Sequence, residues 1–269
     1  MTIIDLTNKF IKYRTFKGAM AELSSIVRFL NRTLKVRSIK DSSKNGLQVK
    51  GTKTVKRIGF AADGCLDMFK KAKKLKCDML IVHHGILWKH DYNKLITEKR
   101  TAFLKKNRIS LYGIHLPLDL NSKYGNNIEL CRILNLRKIK KFGKYHKVIV
   151  GYKGEFEKKV ELKDIAKMLN KKLNTKCRTF PFGKRKIKGI GVISGGGSNM
   201  VIDAVKEKLD AYLSGEIDLG ARHAAKDAGI NYIAAGHYAT ETLGVKALMP
   251  LLSKKFDVET SFIENKVNL

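Results

Sequence analysis

Glutamine occurs once in this chain, at Gln48, and acids number only 24 against 55 Lys and Arg. The four cysteines, Cys65, Cys77, Cys131 and Cys177, include no C-x-x-C pair. That argues against a thiolate zinc site and fits a reducing cytosol. No window approaches the roughly 18 uncharged apolar residues of a membrane span. Met1 to Tyr13 mixes charged and apolar side chains and lacks the apolar run of about seven that a secretory signal needs. The expectation is a cytoplasmic protein with no membrane partner. No helix-turn-helix, zinc-finger or RRM signature is visible.

What is present is a globular composition. With 43% apolar residues in 269, the chain can bury a sizeable core in one large domain or two ordinary ones. Its formal charge of +31 implies a preference for anions such as nucleic acid, phosphorylated metabolites or acidic surfaces. A competing source of the lysines is a heat-adapted proteome, rich in Lys and poor in amides. The excess is uneven: from Arg137 to Lys188 there are 19 Lys or Arg against four acids, a net +15. This segment is the candidate anion-facing surface. Phe142, Tyr145, Phe180 and Phe182 are interleaved in it, where they could stack on the bases of DNA or RNA.

Hydrophobic periodicity predicts helices over 2–13, 18–34, 65–75, 95–106, 125–134, 162–173, 200–209, 219–228 and 240–252. Between them it predicts strands over 56–62, 78–82, 110–114, 147–152, 187–193, 211–213, 231–235 and 258–262. The segment DSSKNGLQVKG (41–51) reads as turn-rich, with Asn45-Gly46 the strongest signal. Strands alternating with helices indicate an α/β fold with mainly parallel sheets. A first half, 1–130, carries the HHG and HLPLD motifs. A second, 131–269, carries the basic segment 137–188 and GHYATE.

Three places combine a strand end with side chains that bind metals. In parallel sheets, ligands bind beyond the carboxyl ends of the strands. The first is Val82-His83-His84-Gly85. Neighbouring strand residues face opposite ways, so the imidazoles converge only if the strand ends there; otherwise one lies in the core and one in solvent. The second is Ile114 to Asp119, where Pro117 stops the strand. Asp119 is a candidate ligand or a turn residue, and His115 a ligand, a general base or a partner behind a ligand. The third is Gly236-His237-Tyr238-Ala239-Thr240-Glu241. His237 and Glu241, four apart, share a helix face, as a ligand pair or as a surface hydrogen bond. Four of the seven histidines fall at these strand ends. A His, Asp and Glu set without thiolates suits Zn, Fe or Mn. Gly195-Gly196-Gly197-Ser198 offers backbone N–H groups to an anion but lacks the Walker lysine. Glu216, in Ser214-Gly215-Glu216, could orient a bound water or a ligand histidine, or be a solvated turn residue.

DSSKNGLQV, LIVHHG, GIHLPLD with the later GNN, SGE and GHYATE, in this order, resemble the Nif-three-like dinuclear metal-centre family, the GTP cyclohydrolase type 2 homologues. The resemblance spans residues 41–241. It implies two similar, intertwined three-layer α/β/α halves flanking two divalent metal ions, and an assembly of six subunits around an internal cavity. It implies that His83 and His237 bind one ion, that His84 and Asp119 bind the other, and that Glu241 bridges both. Glu241 and His115 are the candidate catalytic residues. The activity implied is metal-dependent hydrolysis of a nucleotide, attacked at a guanine ring, or of a similar anionic substrate. Two further functions stay open: sequence-tolerant nucleic-acid binding with structural metals, and a metal-binding assembly protein without turnover.

Overall fold

The computed structural model describes residues 12–13 (backbone only), 20–90, 93–145 and 148–265. They form two compact units: one comprises the residues up to Leu118 together with 245–265, the other Asp119–Gly244. The half-boundary expected at residue 130 falls inside the helix Asn126–Ile133 of the second unit.

The first unit is built on a six-stranded sheet in the order Lys12–Tyr13, Glu259–Phe262, Arg57–Asp63, Met79–His84, Ser110–Gly113, Gly46–Val49. The four inner strands run parallel, and both outer strands are antiparallel to their neighbours. The inner strands are almost continuously buried, as strands covered on both faces must be. Helix Leu66–Lys74 buries Met68, Phe69 and Ala72 while its lysines face water. These side chains pack with Leu80, Val82, Leu104, Leu111 and Ile263 in one core cluster. Helix Leu23–Thr33 buries Leu23, Ile26 and Leu30, a spacing of three and four that keeps one face dry. The helix expected over 2–13 lies outside the described residues except for Lys12 and Tyr13, which form the edge strand.

The second unit carries its own six-stranded sheet, ordered Arg178–Phe180, Asn231–Ala234, Ala211–Ser214, Lys186–Val192, Val148–Glu161, Arg137–Tyr145. The three strands from Asn231–Ala234 to Lys186–Val192 are parallel; the remaining pairings are antiparallel. Ile165 and Leu169, one helical turn apart on Leu162–Leu173, pack with Ile187, Ile190, Val192, Leu213 and Ile233. The long hairpin of Arg137–Tyr145 and Val148–Glu161 makes this sheet mixed rather than mainly parallel. Strand Arg137–Tyr145 escapes sequence reading because cations occupy five of its nine positions. It pairs through its backbone and through ion pairs such as Lys138–Glu155 (3.0 Å) and Arg137–Glu157 (3.0 Å).

The turn-rich segment 41–51 also resolves differently. Its second part, Gly46–Val49, is a strand paired to Ser110–Gly113. Gln48 leaves this strand to brace the loop after the paired histidines. Its Oε1 accepts from the Ile86 N–H (2.7 Å) and the Leu87 N–H (3.2 Å), and its Nε2 donates to the Lys44 carbonyl (2.8 Å). A Cβ at Gly85 would collide with this amide, and one at Gly113 would stand 2.7 Å from it. Both glycines therefore make room for the chain's one glutamine. Gln48→Ala is expected to lower unfolding stability by about 1–3 kcal/mol, because it strands the Ile86 N–H. Gln48→Glu, which keeps the acceptor, should lose less; denaturant melts of the three proteins check the order.

Candidate metal centre

In the first unit, strand Met79–His84 ends at the two histidines, and their rings turn toward each other with centroids 4.7 Å apart. His115, two residues past strand Ser110–Gly113, brings its ring to 5.1 Å from His83 and 5.6 Å from His84. One ligand nitrogen from each of the three lies within 4.8 Å of the others. His83 is wholly buried; His84 and His115 are about a quarter exposed or less.

Each ring is held from behind. The His83 Nδ1 lies 2.9 Å from the Ile114 carbonyl, which can only accept, so Nδ1 carries a proton and Nε2 is the nitrogen left to act as a ligand. The His84 Nδ1 meets Asp63 Oδ1 at 2.9 Å. Parallel register produces that contact by setting Asp63 directly opposite His84. The His115 Nδ1 lies 3.0 and 3.1 Å from the two oxygens of Asp41. Asp41 also accepts from Asn45 Nδ2, the Ser43 N–H and the Leu116 N–H, while Asn45 Oδ1 accepts from the His115 N–H. The DSSKNG segment is thus a clamp on His115. Burial opposes charge on Asp41, but the hydrogen bonds from His115, Asn45 and Ser43 overcome it and hold the carboxyl well below its ordinary range.

In the second unit, His237 and Glu241 occupy the first turn of helix His237–Phe256, with Nε2 to Oε2 at 3.0 Å. The His237 Nδ1 meets Glu216 Oε2 at 3.0 Å. The Glu241 hydrogen bond, and after it that of Glu216, push His237 up to about 9 against the opposing effect of burial. Asp119, 6% exposed, accepts from Asn126 Nδ2 (2.8 Å) and Ser194 Oγ (3.2 Å) through Oδ1. Asn126 and Asn127, the GNN pair, are both buried. Asn126 also caps the Gly244 N–H, and Asn127 ties the Ser194 N–H to the Val150 carbonyl.

The glycine run 195–197 serves this site directly. Gly195 has φ +62°, and a Cβ there would collide with Glu241 Oε1 and stand 3.1 Å from His237 Nε2. Its N–H donates to Thr240 Oγ1 (3.0 Å) rather than pointing at an anion. The run is therefore a cradle for a carboxylate and an imidazole.

The structure thus brings His83, His84 and His115 together in one unit, and His237 and Glu241 together in the other, with Asp119 held beside Ser194. Sequence reasoning assigned no role of its own to Asp41 or Asn126, which lie in the quoted motifs, nor to Asp63 or Ser194. The available signal was an acid at the head of a turn and an acid ending the neighbouring parallel strand. Glu216 takes the histidine-orienting role considered for it. Of the four aromatics nominated for base stacking, Phe142 is buried against Tyr212, with ring centroids 6.1 Å apart, and cannot stack on a base. Phe180 and Phe182 stand 6.0 Å from each other, and Tyr145 is 44% exposed.

Residues 21–268 match the family model described as Duf34/NIF3 (NGG1p interacting factor 3). The chain belongs to this family. A relative from Pyrococcus abyssi, named a GTP cyclohydrolase 1 type 2 homolog, is 45% identical over 92% of this chain and 100% of its own. One of the same name from Archaeoglobus fulgidus is 35% identical over 92% of this chain and 99% of its own. A crystal structure of a Thermus thermophilus protein superposes with a TM-score of 0.83 at 32% identity, covering 93% of this chain and 100% of that one.

The donor set fits divalent ions. Nitrogen and carboxylate ligands without thiolates match Zn, Fe and Mn, and imidazoles with a bound Nδ1 present Nε2 as a metal ligand does. Two outcomes test this arrangement. Gly195→Ala is expected to displace Glu241 and lower both melting temperature and metal content, read by thermal melts and elemental analysis. Metal affinity should also fall with pH below about 9, because protons at His237 Nε2 then compete with the ion. The slope should approach about tenfold per pH unit for one displaced proton, measured by chelator competition.

Proposed function

We propose that this NIF3-family chain is a dinuclear metal-dependent hydrolase acting on a nucleotide or a similar anionic substrate. The observation that carries the reading is that four imidazoles from two units all have Nδ1 committed to an oxygen acceptor. Surface histidines have no need of such uniform orientation; metal ligands do. On this reading His83, His84, Asp119, His237 and Glu241 hold two divalent ions, with Glu241 shared between them. Bound divalent ions supply Lewis-acid polarisation and a nucleophile available at neutral pH.

The chain's own residues supply the rest. His115, oriented by Asp41, is placed to accept a proton at Nε2 and pass it on. Glu216 and Asp63 keep His237 and His84 from rotating as the charge nearby changes. The surplus of cations draws anionic substrates toward the protein in a manner that salt weakens. The family names of the Pyrococcus and Archaeoglobus relatives support a guanine nucleotide as the first substrate to try. A six-subunit assembly belongs to the same proposal. Among the described residues, no helix is long and apolar enough to cross a membrane.

Metal analysis of wild type and Glu241→Ala is the first test: the wild type should hold two ions per chain and the variant at most one. Nucleoside triphosphates offered with Zn, Mn or Fe should then be turned over by the loaded wild type. His115→Ala should keep its metal and lose roughly 10²–10⁴ in rate. A fully loaded wild type that turns over no nucleotide or ester leaves a metal-binding protein without hydrolase activity.

A further inference from the structure

Within the first unit, a cavity of about 440 Å³ opens beside the histidine cluster. Its walls include Ile86, Trp88, His90, Ile96, Thr97 and Arg100. The volume lies in the range of small-molecule sites, which combine apolar walls with a few polar groups. Trp88 is the chain's only tryptophan and forms a wall common to the cavity and the metal-type cluster. Its ring meets His115 edge-on at 5.1 Å and lies 6.4 Å from His84.

The wall is built rather than incidental. The Trp88 Nε1–H donates to the Gly85 carbonyl (3.0 Å), which fixes the indole plane. Segment 87–89 is laced to 42–44 by Lys44 N to Leu87 O (2.9 Å), Lys89 N to Ser42 O (2.8 Å) and a bridge between Ser43 and Trp88. Ile96 is left 41% exposed on the opposite helix, although apolar. Arg100, one turn further along helix Lys94–Lys106, has no carboxylate partner among the described residues. An indole face, an exposed aliphatic side chain and a guanidinium around one cavity match a flat ring carrying an anionic group.

We infer that this cavity binds the heteroaromatic base and a phosphate of a nucleotide, Trp88 stacking on the ring and Arg100 pairing with the phosphate. The inference rests on the hydrolase reading and assigns the part of that site which selects the substrate. Trp88 and Arg100 are positioning and specificity residues; neither is needed to hold metal.

Because Trp88 is the sole tryptophan, its fluorescence reports on this cavity and on the histidine cluster behind the same wall, and Arg100→Gln, which alters only the cavity, tells the two apart. In the metal-stripped full chain, GTP or ATP is expected to quench that emission, whereas inorganic triphosphate at equal concentration is not. Arg100→Gln, at a half-buried helix position, should weaken the nucleoside triphosphate at least roughly tenfold and leave the unphosphorylated nucleoside within about twofold. Trp88→Leu, followed by equilibrium dialysis with labelled nucleotide, should lose about tenfold or more, with Trp88→Phe recovering most of it. Circular dichroism of each variant checks the fold. Inorganic triphosphate competing as well as the nucleotide would overturn the assignment, and so would unchanged affinity in Arg100→Gln. Quenching as expected with no turnover by loaded protein removes the hydrolase reading and leaves the cavity assignment standing. Turnover with a KM indifferent to Arg100→Gln removes the assignment alone.

Discussion

An imidazole presents a chosen nitrogen only if the other is held by a partner, and that constraint recurs in both units of this protein. A neutral ring has one donor nitrogen and one acceptor nitrogen, and an oxygen behind Nδ1 decides which is which. Here Ile114, Asp63, Asp41 and Glu216 supply those oxygens to His83, His84, His115 and His237. Each ring is thereby fixed in orientation without any ion.

The sheets explain why the acceptors stand where they do. Parallel strands finish at a common edge, so the residue ending one strand faces the residue ending the next. Asp63 opposite His84 is a register pair, and Ile114 follows strand Ser110–Gly113, which pairs with the histidine strand. In the second unit, Glu216 and His237 each follow a strand of the parallel trio. Backbone space is managed at the same edges. Gly195 leaves room for Glu241 and His237, and Gly85 and Gly113 leave room for Gln48. A fold of this kind supplies the scaffold, while a few short loops supply the chemistry.

Much of this was legible in the sequence. The apolar strands, the helices between them and the histidines at strand ends follow from periodicity and position. His237 and Glu241, four residues apart, required only a helix to meet. Asp41 and Asp63 were not legible. Each lies at least 21 residues along the chain from the ring it holds, and nothing local marks a carboxylate as the partner of a distant histidine. Strand Arg137–Tyr145 stayed hidden for the opposite reason: its lysines and arginines mask the alternation that a half-buried strand normally shows. Phe142 looked like a stacking residue because its neighbours are basic, yet it belongs to the core behind them.

The charge distribution carries the same constraint to its end. With 55 Lys and Arg against 24 acids, almost any carboxylate should find a cation, and most of those on the basic hairpin and sheet edges do. Glu155, Glu157, Glu161, Asp210 and Glu259 are each paired with Lys or Arg. Asp41, Asp63 and Glu216 are not: among the described residues their side chains meet imidazoles, an amide and backbone N–H groups. A lysine at any of them would take the carboxylate's lone pairs by the stronger charge-assisted bond and release the ring behind it. Asp78, Asp203 and Asp218 likewise accept from backbone N–H groups, so what sets Asp41, Asp63 and Glu216 apart is that each also meets the Nδ1 of an imidazole. A carboxylate behind Nδ1 fixes the ring that it holds, which is the arrangement a metal-ligating histidine uses.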